Sequence, residues 1–195
     1  MHSQANNHST AKEDVCRMVG FYILIYASVP AYNNGEVFFM KKVKWVQLIV
    51  IILITELIGV LGSLFSGNMG QSYVFLKRPP LSPPGWLFGV IWPILYLLMG
   101  IAAYIIYQKP KTPENKKAIT LYWIQLLVNF LWPIIFFRFE LYWIAVAVIL
   151  ILDILVLLTT VEFYKISKVS GYLMIPYLLW ILFATYLNIG IAVMN

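Results

Sequence analysis

The sequence predicts an all-α integral membrane bundle of five transmembrane helices, and three observations predict it. The 195-residue chain is 62% hydrophobic and only 11% charged, outside the usual composition of soluble domains in both respects. Its apolar residues gather into five runs at 45–65, 86–107, 119–137, 142–163 and 172–194, each close to the roughly 20 residues a helix needs to cross a hydrocarbon core about 30 Å thick. Within the runs Val, Ile and Leu are continuous rather than alternating. A backbone in lipid must satisfy its own hydrogen bonds, so helices fit where barrel strands would not.

The gaps between runs are short and polar or proline-rich, too short for a folded soluble domain, so residues 40–195 read as one membrane domain. Residues 1–39 differ. After a polar start comes VGFYILIYASVPAY (19–32), too short to span and stopped by Pro30. Lys12 and Arg17 ahead of an apolar run also suit a signal peptide. Cleavage there would put the new N-terminus outside, against the bias set by Lys41, Lys42 and Lys44. Met40 followed by two lysines reads as a start, and residues 1–39 as a non-essential extension.

Net charge is +6, and its placement orients the bundle. Lys41, Lys42 and Lys44 precede the first run, Lys109, Lys111, Lys116 and Lys117 follow the second, and Lys165 and Lys168 follow the fourth. These positions share one face, and the other carries only Lys77, Arg78 and Arg138. The positive-inside rule puts the N-terminus in the cytoplasm. The basic loops lack interleaved aromatics, so no nucleic-acid partner is expected. The Ile- and Lys-rich composition leans toward a bacterial cell membrane; in a eukaryote the expected site would be the outer mitochondrial membrane.

One cysteine, Cys16, excludes an internal disulfide. With only His2 and His8, the predicted bundle has neither an imidazole-based catalytic centre nor a histidine-ligated haem. Phosphate-binding glycine loops, serine elbows and zinc motifs are missing too, so no required cofactor and no metal site is expected.

The segment between the first two runs begins SGNMGQS and ends KRPPLSPPG. Proline fixes its own φ and pushes the preceding residue toward extended geometry, so 77–83 is expected to be a stiff lid, with Ser82 as N-cap of the second helix. Inside the runs, polar and aromatic residues fall on single helical faces: Gly85, Gly89, Trp92, Tyr96 and Met99; Gln125, Asn129, Trp132 and Phe136; Tyr177, Trp180, Ala184 and Asn188. Trp45, Trp86 and Trp143 sit where an interfacial belt belongs, whereas Trp92, Trp132 and Trp180 sit deeper. Three such faces suit a shared aromatic cavity for a flat, mostly apolar ligand; they equally suit tight packing, with Gln125 and Asn129 as interhelical hydrogen-bond glue. Gly85-x-x-x-Gly89 is expected to mark close helix approach within the chain. Glu56 and Asp153, ionisable at membrane depth, are candidates for a proton relay, a cation site or a ligand contact, or else hydrogen-bonded carboxyls between helices.

LKRPPLSPPGWLFGVIWPILYLLMG, QLLVNFLWPIIFF and PYLLWILFATYLN, in this order and spacing, resemble the tryptophan-rich sensory protein family, also called the translocator protein or peripheral benzodiazepine receptor family. The resemblance runs from about Trp45 to the C-terminus. It implies a five-helix homodimer that binds porphyrins such as protoporphyrin IX and haem as ligands, with membrane lipid or sterol as a further partner. Carried over position by position, the family's pocket falls on Pro83, Pro84, Trp92, Tyr96, Asn129, Trp132, Trp180, Ala184 and Leu187. Beyond the family, Lys77 and Arg78 are expected to attract a porphyrin's propionates. The implied role is sensing, transport or scavenging of tetrapyrroles. Three departures bear on the alternatives. Ser72 stands where the family has a loop tryptophan, which counts against light-dependent porphyrin breakdown through Trp180 and leaves enzymatic activity open. Leu81 replaces another loop tryptophan. With no Lys or Arg after Tyr186, the sterol motif is missing from its usual place. A third expectation is an ion-coupled transporter using Glu56 and Asp153.

Overall fold

A computed structural model describes residues 45–195 as an all-helical bundle. Among these residues five helices are long and apolar enough to span a membrane. Residues 1–44, including Cys16, His2, His8, Lys41, Lys42, Lys44 and the expected extension 1–39, lie outside the described residues.

The first spanning helix, α1, is Trp45–Phe65, with the bounds its hydropathy predicts. At 1.5 Å per residue its 21 residues reach about 31 Å, one hydrocarbon thickness. The next element was not expected: α2, Met69–Phe75, is a short helix capped by Asn68, whose side chain accepts from Gln71 N–H. The glycine-containing run SGNMGQS holds a cap signal as well as turn residues, and the cap wins.

The lid that follows is only partly extended. Pro79 to Ser82 make a turn in which Leu81 takes φ 65° and Ser82 Oγ donates to Pro79 O at 2.7 Å. Ser82 is therefore not the N-cap of the next helix. Gly85 takes that place, without a side-chain cap, and α3 runs Trp86–Tyr107.

The fourth element starts earlier than hydropathy suggests. Thr112 caps it, accepting from Asn115 N–H at 3.2 Å, and Pro113 and Glu114 fill its first turn, so α4 is Pro113–Pro133 rather than a helix from 119. Polar residues can extend a spanning helix into water wherever caps permit. Pro133 has no N–H to give the carbonyl four residues back. Beyond it Ile134–Arg138 widens into a π-helical turn that closes with Phe139 N–H on Ile134 O at 3.2 Å. The fourth and fifth spanning helices are α5, Tyr142–Ile166, and α6, Lys168–Met194. They are separated by Ser167 alone, so α6 starts four residues before the apolar run that predicts it.

The helices approach closely where residues are small. A Cβ on Gly59 of α1 would run into the ring of Tyr96 on α3, and one on Gly100 of α3 would come within 3.1 Å of Ile52 Cα. Polar bridges add direction. Ser170 Oγ on α6 donates to Ala102 O on α3 at 2.7 Å. Thr55 Oγ1 gives its proton to Ile51 O, so the 2.8 Å contact between Thr55 and Tyr122 is donated by the tyrosine. Met99, Tyr122, Leu126, Ile149 and Phe163 are fully buried at the centre. Trp45, Trp86 and Trp143 are mostly exposed near helix ends, as a belt requires.

Candidate ligand-binding cavity

A cavity of about 430 Å³ lies among α1, α2, α3, α4 and α6, within the usual range for small-molecule sites. Trp92 and Tyr96 of α3, Asn129 and Trp132 of α4, and Ala184 and Leu187 of α6 all line it. The faces read from the sequence on three separate helices thus meet around one space. Trp92 and Tyr96 lie 5.7 Å apart between ring centres, and Trp132 stacks on Phe136 at 5.5 Å. The π-helical turn after Pro133 offsets Phe136 and Phe137 from a regular helical register and leaves both on the cavity wall.

The other expected residues stand back from that wall. Trp180 packs edge-on against Phe88 at 5.9 Å, and Phe88 is the residue that faces the cavity. Pro83 holds the wall indirectly: its carbonyl accepts the hydroxyl of Tyr73, a lining residue, at 2.9 Å. Pro84 lies between Pro83 and the cap of α3. Arg78 places its guanidinium 4.9 Å from the centre of the Tyr73 ring, outside the lining, and the Lys77 backbone is bound by Asn195.

The lid is fastened to α6 at three points. Asn195 accepts from Lys77 N–H at 3.1 Å and donates to Lys77 O at 2.9 Å. Tyr186 Oη donates to Pro80 O at 2.8 Å. Pro79, itself buried, seats on Gly190, where a Cβ would come within 2.5 Å of the proline ring.

Asn129, expected to face the ligand's polar edge, lines the cavity and has each of its amide atoms bound once. Tyr96 donates to its Oδ1 at 2.6 Å, its Nδ2 donates to Tyr177 Oη at 2.5 Å, and Tyr177 in turn donates to Gln125 Oε1 at 3.2 Å. This chain of donors ties α3, α4 and α6 together and gives Gln125 and Asn129 the role of interhelical glue. A different amide is unspent. Asn188 of α6 is 1% exposed and lines the cavity, and neither its Nδ2 nor its Oδ1 meets a hydrogen-bond partner among the described residues. The same holds for Nε1 of Trp132, also on the wall.

Of α1, only Glu56 was foreseen as a candidate ligand contact; the rest of its contribution to the wall was not. Glu56, Gly59, Val60, Ser63 and Leu64 complete it. Gly85 and Gly89 border the cavity, as the face shared with Trp92 and Tyr96 suggested, and Gly89 does not mark the close helix approach also expected of it: a Cβ there would meet nothing within 4 Å. Val60 and Leu64 of α1 and Gly85, Gly89 and Pro93 of α3 are exposed as well as lining. The cavity therefore opens sideways between α1 and α3. Asp153 is elsewhere, on α5, where its Oδ2 accepts from Thr185 of α6 at 2.8 Å. Among the described residues no cluster of three or more His, Cys, Asp or Glu could hold a metal.

Residues 50–194 match the model of the TspO/MBR family. The "Tryptophan-rich protein TspO" of Archaeoglobus fulgidus is 40% identical over 150 residues, which cover 76% of this chain and 97% of that protein. The "Protein CrtK" of Rhodobacter capsulatus is 35% identical over 140 residues, 70% of this chain and 85% of the relative. The human "Translocator protein" is 33% identical over 147 residues, 74% and 87% of the two chains.

Proposed function

The chain belongs to the TspO/MBR family, and on that premise we propose that it is a multi-pass membrane protein that binds porphyrins, protoporphyrin IX or haem among them, in the cavity described above. Its role is then tetrapyrrole sensing, transport or scavenging. The observation that carries the reading is the convergence of Trp92 and Trp132 from different helices on one 430 Å³ space that is apolar over most of its wall. A flat macrocycle gains both apolar burial and offset stacking in such a space. Propionates reaching the rim would find Arg78 over Tyr73, a charge-assisted contact near the N-terminus of α3. The end of the bundle bearing Lys109, Lys111 and Lys168 is the cytoplasmic one on the positive-inside rule.

Photochemical breakdown has less support, because Trp180 stands behind Phe88 and Ser72 occupies the loop position. The test is quenching of tryptophan fluorescence in the solubilised protein titrated with protoporphyrin IX, in the dark and then in light. Saturable quenching that weakens in Trp92→Phe, with a porphyrin absorption band stable in light, is the expected result. Quenching that never saturates and ignores Trp92→Phe would remove the reading.

A further inference from the structure

We infer that the lid is a membrane anchor: Leu81, at its turn, inserts among the lipid tails just beneath the headgroups and holds the lid down from outside the bundle. Its partner is the phospholipid layer itself, not a ligand of the cavity.

Leu81 takes φ 65° in the turn Pro79–Ser82. A Cβ crowds the backbone in that conformation, which glycine or asparagine usually supplies. Strain of this kind persists where surrounding contacts outweigh it. The backbone of the turn is indeed fixed, by the seat of Pro79 on Gly190 and the bond from Tyr186 to Pro80 O, but neither contact asks for a leucine. The side chain itself is 84% exposed. Exposed leucines are ordinary on protein surfaces, yet this one strains its backbone and packs against almost nothing of its own chain. Its use lies outside the bundle. Glu140, the other non-glycine residue with positive φ among the described residues, at 53°, is charged, and water rewards its exposure.

The level of the turn identifies what the leucine meets. Pro79 and Pro80 are held by Gly190 and Tyr186, so the turn lies beside residues 186–190 of α6, within its apolar run. Ile189 at that level and Val193, about 4.5 Å farther along the helix, are exposed apolar residues of α6. The apolar layer they face therefore extends past the turn. Trp86, five residues after Leu81 and 68% exposed, belongs to the interfacial belt. Lys77, four residues before Leu81, is exposed and in no ion pair among the described residues. Its long stem lets the ammonium reach lipid phosphates while the turn lies deeper. An apolar tip with a belt tryptophan on one side and a cation on the other matches the order of tails, boundary and headgroups.

The test places a nitrobenzoxadiazole fluorophore on Leu81→Cys in a Cys16→Ser background, with the full chain in phosphatidylcholine nanodiscs. Glu140→Cys, at the same end of the bundle, is the comparison. We expect the fluorophore at 81 to emit as in an apolar medium, to be quenched by lipids carrying a nitroxide high on the acyl chain, and to ignore aqueous iodide; at 140 the reverse is expected. A second arm needs no label and reads trypsin cleavage after Lys77 in the same nanodiscs. Leu81→Asn keeps a residue at ease in the turn and removes the anchor, so cleavage is expected to rise about tenfold as the burial supplied by lipid is lost. A strained leucine standing in water predicts the opposite, a lid that asparagine tightens. Iodide quenching at 81 would put the lid in water. Screening from both iodide and nitroxide lipid would put it under a second copy or another protein. Cleavage no faster in Leu81→Asn would show that the side chain holds nothing down. Each of these three results overturns the inference.

Discussion

Tyr96 donates its hydroxyl proton to Asn129 Oδ1 at 2.6 Å, and that bond settles how two conspicuous residues of the cavity divide their work. Asn129 is committed to holding α3, α4 and α6 in register through Tyr96 and Tyr177, while the aromatic faces beside it stay free to meet a ligand.

Asn129→Leu is therefore expected to act on stability first. It breaks two buried interhelical bonds, each worth about 0.5–1.5 kcal/mol. For a protein of this size that lowers the melting midpoint by about 2–12 °C. Thermal unfolding of the solubilised protein checks this, and an unchanged midpoint would mean the two tyrosines find other partners.

Gly59→Val drives a side chain into the space of the Tyr96 ring. Overpacking of this kind costs about 1–3 kcal/mol. The ring can only swing away from Gly59 by giving up Asn129. Lower stability together with loss of saturable porphyrin quenching is expected, whereas Gly89→Ala, where a Cβ meets open space, should leave stability unchanged.

Ala184→Phe places a ring inside the cavity from a wall position that is otherwise well packed. Affinity for protoporphyrin IX is expected to fall at least tenfold, about 1.4 kcal/mol, with little change in melting midpoint. Undiminished binding in this variant would put the ligand elsewhere.

Gly190→Leu unseats Pro79 and so loosens the lid from α6, leaving only the bonds of Tyr186 and Asn195. Trypsin cleavage after Lys77 is expected to accelerate, and the dissociation rate of bound ligand to rise more than the association rate falls. Equal proteolysis of variant and wild type would show that the seat contributes nothing to closure.

Lys165→Ala is the contrasting case. Lys117 and Lys165 both bind Glu162 Oε1, at 2.9 and 3.1 Å, but their side chains are 63% and 61% exposed. Glu162 is buried, but both lysines stand in water and Lys117 still holds the carboxylate when Lys165 is removed, so the loss is expected to be less than about 1 kcal/mol. The variant should shift denaturation only slightly, and less still in 0.5 M salt, where the screening length is only a few ångströms.

The five-helix architecture was legible because hydropathy and length leave few alternatives. The bounds of α1 and α3 follow from Trp45 and Trp86 at their starts and from the polar residues after Phe65 and Tyr107. The starts of α4 and α6 were missed for one reason: a spanning helix continues into water when caps allow it, and the Thr112–Pro113–Glu114 signal lay outside the apolar run. On the cavity, the faces of α3 and α4 could be read because polar and aromatic residues interrupt apolar ones there. On α6 the face read from the sequence was Tyr177, Trp180, Ala184 and Asn188; Ala184 and Asn188 line the cavity, Trp180 stands behind Phe88, and Leu187 came only from the family resemblance. The wall contributed by α1 was hidden, since Val60 and Leu64 look the same whether they meet lipid or a ligand and Gly59 records only an absence.

A ligand that enters through the side opening between α1 and α3 comes from the bilayer and must first dissolve in it. Affinity measured against aqueous concentration is then a product of two constants, partition into lipid and capture from it. Increasing the amount of lipid or detergent at fixed protein should dilute a strongly partitioning ligand and weaken its apparent binding in proportion. For such a ligand selection begins with solubility in lipid.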